Sequence, residues 1–185
     1  MSVLDRSIVE WLNQNRIPAL DKFFIFITDT VYAVPVIMAM IFIWLLCFKV
    51  KNKMKVNLIQ AIVTFSLNTV VITILKYAIG RQRPYINDNL IIKITSGGSP
   101  SFPSGHTADA FIVAILFSQL FPEKIWSRFL IWLWAITIAY TRIALGVHYL
   151  SDVIGGVIIS SFIGISLNRF FKNRFYSGQK SVARE

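Results

Sequence analysis

His148 stands four residues before Asp152 and six after Arg142, within Thr141–Asp152 (TRIALGVHYLSD). At the start of a helix, that spacing lets a carboxylate accept a hydrogen bond from one imidazole nitrogen. The bond fixes the ring's tautomer and leaves the other nitrogen as a nucleophile or a base. The plainer use of the same pair is to buttress a loop. Two further blocks carry the remaining chemistry. Lys76–Pro84 (KYAIGRQRP) sets Lys76 and Arg83 on either side of Gly80, and Ser99–His106 (SPSFPSGH) leads through Ser104 and Gly105 into an apolar stretch. An arginine fork and a lysine point charge suit phosphate oxygens, and a helix N-terminus adds unpaired N–H groups aimed at an anion. Gly105 lets the backbone come close to a ligand. Snorkelling cations and a capping serine are the bland alternatives for these two blocks. Cations at the edge of strongly apolar segments need an anion, and the expected occupant is a phosphate group.

The apolar segments must position these blocks. Of 185 residues, 55% are hydrophobic and 15% charged, with mean hydropathy +0.61. Soluble domains have roughly 45–50% apolar and about 25% charged residues, so the composition is that of a membrane protein. About 20 mainly apolar residues cross the hydrocarbon layer. Five stretches qualify: Tyr32–Phe48, Val56–Ala78, Thr107–Phe121, Trp126–Ala144 and Tyr149–Phe171. Leu20–Thr28 is a second interfacial helix, an extension of the first span, or a sixth crossing. Leu4, Ile8, Trp11 and Leu12 recur at helical spacing opposite Asp5, Arg6, Glu10 and Asn13, which predicts an amphipathic helix on the membrane surface. The expected fold is therefore an all-α polytopic membrane helix bundle of five or six transmembrane helices in a single domain, 1–185. It comprises interfacial N-terminal helices (1–30), an extracytoplasmic loop (85–102) and a cytoplasmic tail (172–185).

Charge sets the orientation. The formal net charge is +10, but the cations cluster beside spans, as at Lys49, Lys51, Lys53 and Lys55 and again from Arg169 to Arg184. That distribution fits lipid headgroups and positive-inside topology rather than nucleic acid. With the C-terminus cytoplasmic, all three blocks meet on the outer face. The N-terminus lacks the pattern of a secretory signal, so insertion is expected to rest on the internal segments. The single cysteine, Cys47, allows no intramolecular disulfide.

Lys76-x6-Arg83-Pro84, Pro103-Ser104-Gly105-His106 and Arg142-x5-His148-x3-Asp152 together resemble the three-part signature of the type 2 phosphatidic acid phosphatase superfamily. Thr141 departs from the serine usual there but keeps the hydroxyl. The resemblance implies that His148 attacks phosphorus to form a phosphohistidine, with Asp152 orienting its ring. His106 would protonate the leaving oxygen and later activate water. Lys76, Arg83, Arg142, the Ser104 hydroxyl and the Gly105 amide would hold the phosphoryl oxygens. It implies no metal and no cofactor. It also implies a lipid phosphatase of a bacterial-type plasma membrane with its site facing the periplasm or the outside. The substrate would be undecaprenyl diphosphate, phosphatidylglycerophosphate, phosphatidate or lipid A phosphate, met in the bilayer without an obligate protein partner. A non-catalytic lipid-phosphate binder or transport component is the alternative, and haloperoxidase chemistry is disfavoured by the spans. Outside the signature, Asp109 is expected to pair with a cation or to tune the pocket. Gly156, Ser160 and Gly164 are expected to pack within the molecule.

Overall fold

The computed structural model describes residues 3–47 and 52–175, and their regular structure is helical. Lys49, Lys51, Lys180 and Arg184 of the predicted basic clusters lie outside the described residues. The helices are α1 (Val3–Gln14), α2 (Asp21–Asp29), α3 (Ala33–Cys47), α4 (Asn52–Ile79), the single turn α5 (Pro84–Asn87), α6 (Gly105–Leu120), α7 (Ile125–Ala144) and α8 (Leu150–Phe175).

Helix α6 sits at the centre and packs against α4, α7 and α8. Its buried alanines, Ala108, Ala110 and Ala114, let these neighbours approach closely. Outward faces are apolar instead of polar, with Val63, Leu67, Val70 and Ile74 exposed on α4 and Ile154, Ile158, Phe162 and Ile165 exposed on α8. A helix that is apolar on its exposed side is built for lipid.

Three stretches are long and apolar enough to cross a membrane: Pro18–Met40, Lys53–Asn87 and Leu150–Phe175. Helix α6 is apolar but has only 16 residues. Helix α7 has 20 residues and carries Arg128 and Arg142 near its two ends. A helix thus occupies each of the five predicted stretches. Leu20–Thr28 resolves as an extension of the first span. α2 passes into α3 through one 3-10 turn, Thr30–Tyr32, with Asp29, Thr30 and Ala33 all in the right-handed helical region. Nine residues of α2 rise only about 14 Å, too little for a crossing of their own.

A helix forms at the predicted N-terminal position, and its polar residues Asp5 and Asn13 join Val9 on the face turned to the bundle. Asp5, Val9 and Asn13 are buried, whereas Leu4 is 67% and Trp11 65% exposed. Two polar side chains face inward because both find partners there. Asn13 donates to the carbonyls of Ile92 and Ala144 and accepts from the Ile92 amide. Gly146 makes room for this contact. Its φ is +75°, and a Cβ there would lie 2.5 Å from the Ile92 carbonyl oxygen.

Residues 88–104 close the same end of the bundle without regular structure. The segment is tied down by the Ile94 amide to the Leu145 carbonyl (3.2 Å), the Ser101 amide to the Arg81 carbonyl (2.7 Å) and the Tyr85 hydroxyl to the Gly97 carbonyl. Lys93 lies over the Tyr85 ring.

Candidate active site

Four helix ends converge under this loop: the C-termini of α4 and α7 and the N-termini of α6 and α8. They bring Lys76, Arg142, Gly105 with His106, and Asp152 to one place, with Arg83 and His148 in the adjoining loops. The cavity between them measures about 180 Å³ and is lined by Lys76, Arg83, Gly105, His106, Arg142 and His148, together with Tyr32 and residues 96–99.

His148 is buried between two kinds of partner. Its Nδ1 lies 3.4 Å from Asp152 Oδ2 and 3.4 Å from the Ser101 hydroxyl. Its Nε2 lies within hydrogen-bond distance of Arg83 Nη1, at 3.3 Å, on the cavity wall. Asp152 is itself held in place: Oδ2 accepts from the Ser101 hydroxyl and the Tyr149 amide, and Oδ1 accepts from Arg81 at 2.6 Å. A proton on Nδ1 shared with this carboxylate leaves the Nε2 lone pair toward the cavity. Burial first, with Arg83 and Arg142 acting in the same sense, holds His148 below its ordinary pKa against the opposing pull of Asp152. The ring is therefore neutral at physiological pH, as a nitrogen nucleophile must be.

The cations divide by partner. Arg81 is ion-paired to Asp5 and Asp152. Among the described residues, Lys76, Arg83 and Arg142 form no ion pair with a carboxylate. Carbonyls and hydroxyls hold them: Lys76 donates to the Pro100 carbonyl (2.9 Å), Arg83 to the carbonyls of Ser99 (2.7 Å) and Val147 (2.9 Å), and Arg142 to the Thr28 hydroxyl (3.0 Å) and the Ser96 carbonyl (3.3 Å). Dipoles fix their positions without cancelling their charge. Arg83 and Arg142 are 5% and 1% exposed, and cations buried this deeply without counter-charge constitute an anion site.

His106 opens α6 opposite His148. Its ring meets Tyr32 edge-on at 5.0 Å, and its buried Nε2 has no hydrogen-bond partner among the described residues. Gly105 lines the cavity beside Lys76, and the first amides of α6 have no intrahelical acceptor. Ser104 is placed differently from the other predicted residues. It occupies the N-cap position, fully buried and off the cavity wall, and its hydroxyl accepts from Thr107 at 2.9 Å. Asp109 accepts from Asn68 of α4 at 3.2 Å, and no ion pair joins it to a site cation among the described residues. Thr141 is fully buried, and its hydroxyl donates back to the Ile138 carbonyl at 2.7 Å instead of entering the cavity.

Several residues at the site carry no signal in the motifs. Thr28 and Tyr32 come from the first span, Ser101 from the loop and Asp5 from α1. Ser101 alone had a visible hint, a lone polar residue between Pro100 and Phe102.

The PAP2 superfamily model matches residues 57–176. A lipid A 4'-phosphatase of Bacteroides thetaiotaomicron is 33% identical over 171 residues, covering 89% of this chain and 75% of its own. An undecaprenyl-diphosphatase of Sulfolobus acidocaldarius is 26% identical, covering 82% and 71%. Among solved structures, Aquifex aeolicus LpxE superposes with TM-score 0.74 at 29% identity, covering 91% of this chain and 99% of its own. The transmembrane PAP2 type phosphatidylglycerolphosphate phosphatase of Bacillus subtilis, at 21% identity and TM-score 0.73, shares the fold over 94% and 87%.

Proposed function

From the premise that this chain belongs to the PAP2 superfamily, we propose that its site cleaves a membrane lipid phosphate by way of a phosphohistidine at His148. The chain is a membrane lipid phosphatase, a phosphoric ester hydrolase. The observation that carries the mechanism is a carboxylate-backed imidazole facing three cations that form no ion pair with a carboxylate among the described residues.

In the first step His148 Nε2 attacks phosphorus and the bond from phosphorus to the lipid oxygen breaks. His106, protonated, gives its proton to that oxygen, and the lipid alcohol leaves. In the second step His106, now neutral, takes a proton from water as the water oxygen attacks phosphorus. The P–N bond breaks, its electron pair returns to His148, and inorganic phosphate departs. Lys76, Arg83, Arg142 and the first amides of α6 hold the three phosphoryl oxygens, where negative charge spreads in the transition state. Asp152 stabilises the cationic ring of the intermediate. Ser104 serves this arrangement from the N-cap position.

The substrate belongs to the phosphates and diphosphates of envelope lipids, with the hydrocarbon part remaining in the bilayer. We place a lipid A phosphate first, because the relative at 33% identity that covers most of both chains is named for that activity. The site faces outward across the plasma membrane and the C-terminus lies in the cytoplasm. Support comes from the distribution of charge: the end opposite the site carries Lys53, Lys55, Lys124, Arg128, Arg169, Lys172 and Arg174, with Glu123 as its acid among the described residues. The exposed Leu4 and Trp11 of α1 rest in the headgroup layer of the outer leaflet.

Phosphate release by the purified protein in detergent is the test, over a panel of lipid A, undecaprenyl diphosphate, phosphatidylglycerophosphate and phosphatidate. His148→Ala is expected to abolish release from every member. Turnover that survives this substitution would overturn the assigned nucleophile. A wild-type preference for another lipid would overturn the choice of lipid A.

A further inference from the structure

We propose that Asp5 of α1 is a positioning and charge-setting residue for the His148–Asp152 pair, acting through Arg81; this rests on His148 being the nucleophile. Asp5 lies outside the residues 57–176 that the family model matches, and α1 by its sequence is a surface helix.

The contacts link α1 to the start of α8 through Arg81. Arg81 Nη1 donates to Asp152 Oδ1 at 2.6 Å and to the Ser151 hydroxyl at 2.6 Å, while Nη2 donates to Asp5 Oδ2 at 2.9 Å. Asp5 then takes the amide of Ser151, at 2.9 Å, and its hydroxyl. The guanidinium also lies over the Tyr149 ring, 4.2 Å from its centroid. One α1 carboxylate therefore grips both the arginine that holds Asp152 and the residue preceding Asp152. Asp5 is 7% exposed and Asp152 not at all, so these charges interact in a medium that screens them poorly.

The charge count gives this grip a chemical consequence. When Nε2 bonds to phosphorus, the imidazole becomes cationic and needs a net negative partner at Nδ1. Asp152 paired with Arg81 alone would be neutral overall. Asp5 returns one negative charge to the group, while Arg81 keeps Asp152 in register with the ring. Removing Asp5 leaves an arginine that cancels Asp152. Removing Asp5 and Arg81 together restores the negative charge, at the cost of two tethers. A purely structural role for α1 predicts the opposite ranking, because two lost tethers are worse than one.

The test is phosphate release by full-length protein in detergent, with thermal melting measured alongside. Asp5→Asn is expected to lower kcat about tenfold or more with KM within about twofold, and Asp5→Glu to retain most of the rate. Adding Arg81→Met to Asp5→Asn is expected to recover kcat several-fold while the melting temperature falls further. Wild-type kcat in Asp5→Asn would overturn the proposal, and so would a double variant no faster than Asp5→Asn.

Should Asp5→Asn not fold, Arg81→Met alone decides. His148 is faced by Asp152 and Ser101 at Nδ1, by Arg83 at Nε2, and across the cavity by Lys76, His106 and Arg142. Loss of the Arg81 charge makes His148 easier to protonate, so the acidic limb of kcat/KM moves to higher pH. An unmoved limb would overturn the proposal. Activity in His148→Ala would instead show that the nucleophile is misassigned, a separate failure with its own signature.

Discussion

Every cation at the site has its charge either cancelled or preserved by the atoms that hold it. Arg81 meets two carboxylates and becomes part of the scaffold, while Arg83, two residues on, meets carbonyls that leave its charge uncancelled. The same economy applies to the histidines. His148 has a carboxylate behind it, whereas the buried His106 Nε2 has only the cavity before it. A group whose work is to protonate the leaving oxygen matters in proportion to how badly that oxygen needs the proton. His106→Ala is accordingly expected to slow hydrolysis of the lipid substrate by about 10²–10⁴-fold. The loss on p-nitrophenyl phosphate, whose phenolate leaves unaided, is expected to be far smaller. Paired kcat/KM measurements check this, and equal losses on both substrates would remove His106 from the role of acid.

Helices position these groups through close contacts that admit little substitution. Gly156 of α8 is one such case, since a Cβ there would lie 2.8 Å from the Ser104 carbonyl oxygen at the start of α6. Asp152 and His106 occupy the N-terminal ends of these two helices, so any wedge between them separates the His148–Asp152 pair from the proposed acid. Gly156→Val should destabilise the protein by about 1–3 kcal/mol and cut activity more than an exposed α8 substitution such as Ile158→Val. Thermal melting and turnover measured on both variants check this.

The seat of α1 is also open to test by pH. Burial opposes ionisation of Asp5, but hydrogen bonds from Ser151 and Arg81 outweigh it, and the carboxyl titrates below its ordinary value. Its contribution to stability is complete above the ordinary aspartate pKa of about 3.9 and is lost as pH falls through the lowered folded value. Amide exchange in Val3–Gln14 should therefore stay slow down to about pH 4 and accelerate below it. Asp5→Asn should remove that pH dependence.

For the molecule as a whole, the two ends of the bundle differ in how their charges are balanced. At the site end, Arg6 meets Glu10 and Asp88, Arg16 meets Asp21, and Arg81 meets Asp5 and Asp152. The opposite end is dominated by lysine and arginine, the bias that keeps a segment in the cytoplasm. A cysteine at exposed Asn89, in a Cys47→Ser background, should react with an impermeant maleimide in intact cells. One at exposed Glu123 should react only after permeabilisation. The reverse pattern would turn the protein over and place phosphate release in the cytoplasm.

Periodicity and spacing by themselves determined the helical membrane architecture, the positions of the helices, and the choice of Lys76, Arg83, Arg142, His106 and His148, which the fold gathers around one cavity. Those properties are local: a long apolar run must be helical in lipid, and a cation beside it needs an anion. Leu20–Thr28 was ambiguous because its length allowed three dispositions, and only the unbroken path from α2 into α3 selected one. Asp5 and Asn13 were legible only as the polar side of a surface helix. Nothing in the order of residues says that their partners lie at Arg81, Ser151, Ile92 and Ala144, far along the chain. Ser104, Ser101 and Thr28 illustrate the same limit from the site's side. A hydroxyl can serve substrate, carboxylate, guanidinium or its own helix, and the neighbour that packing brings within 3 Å decides which.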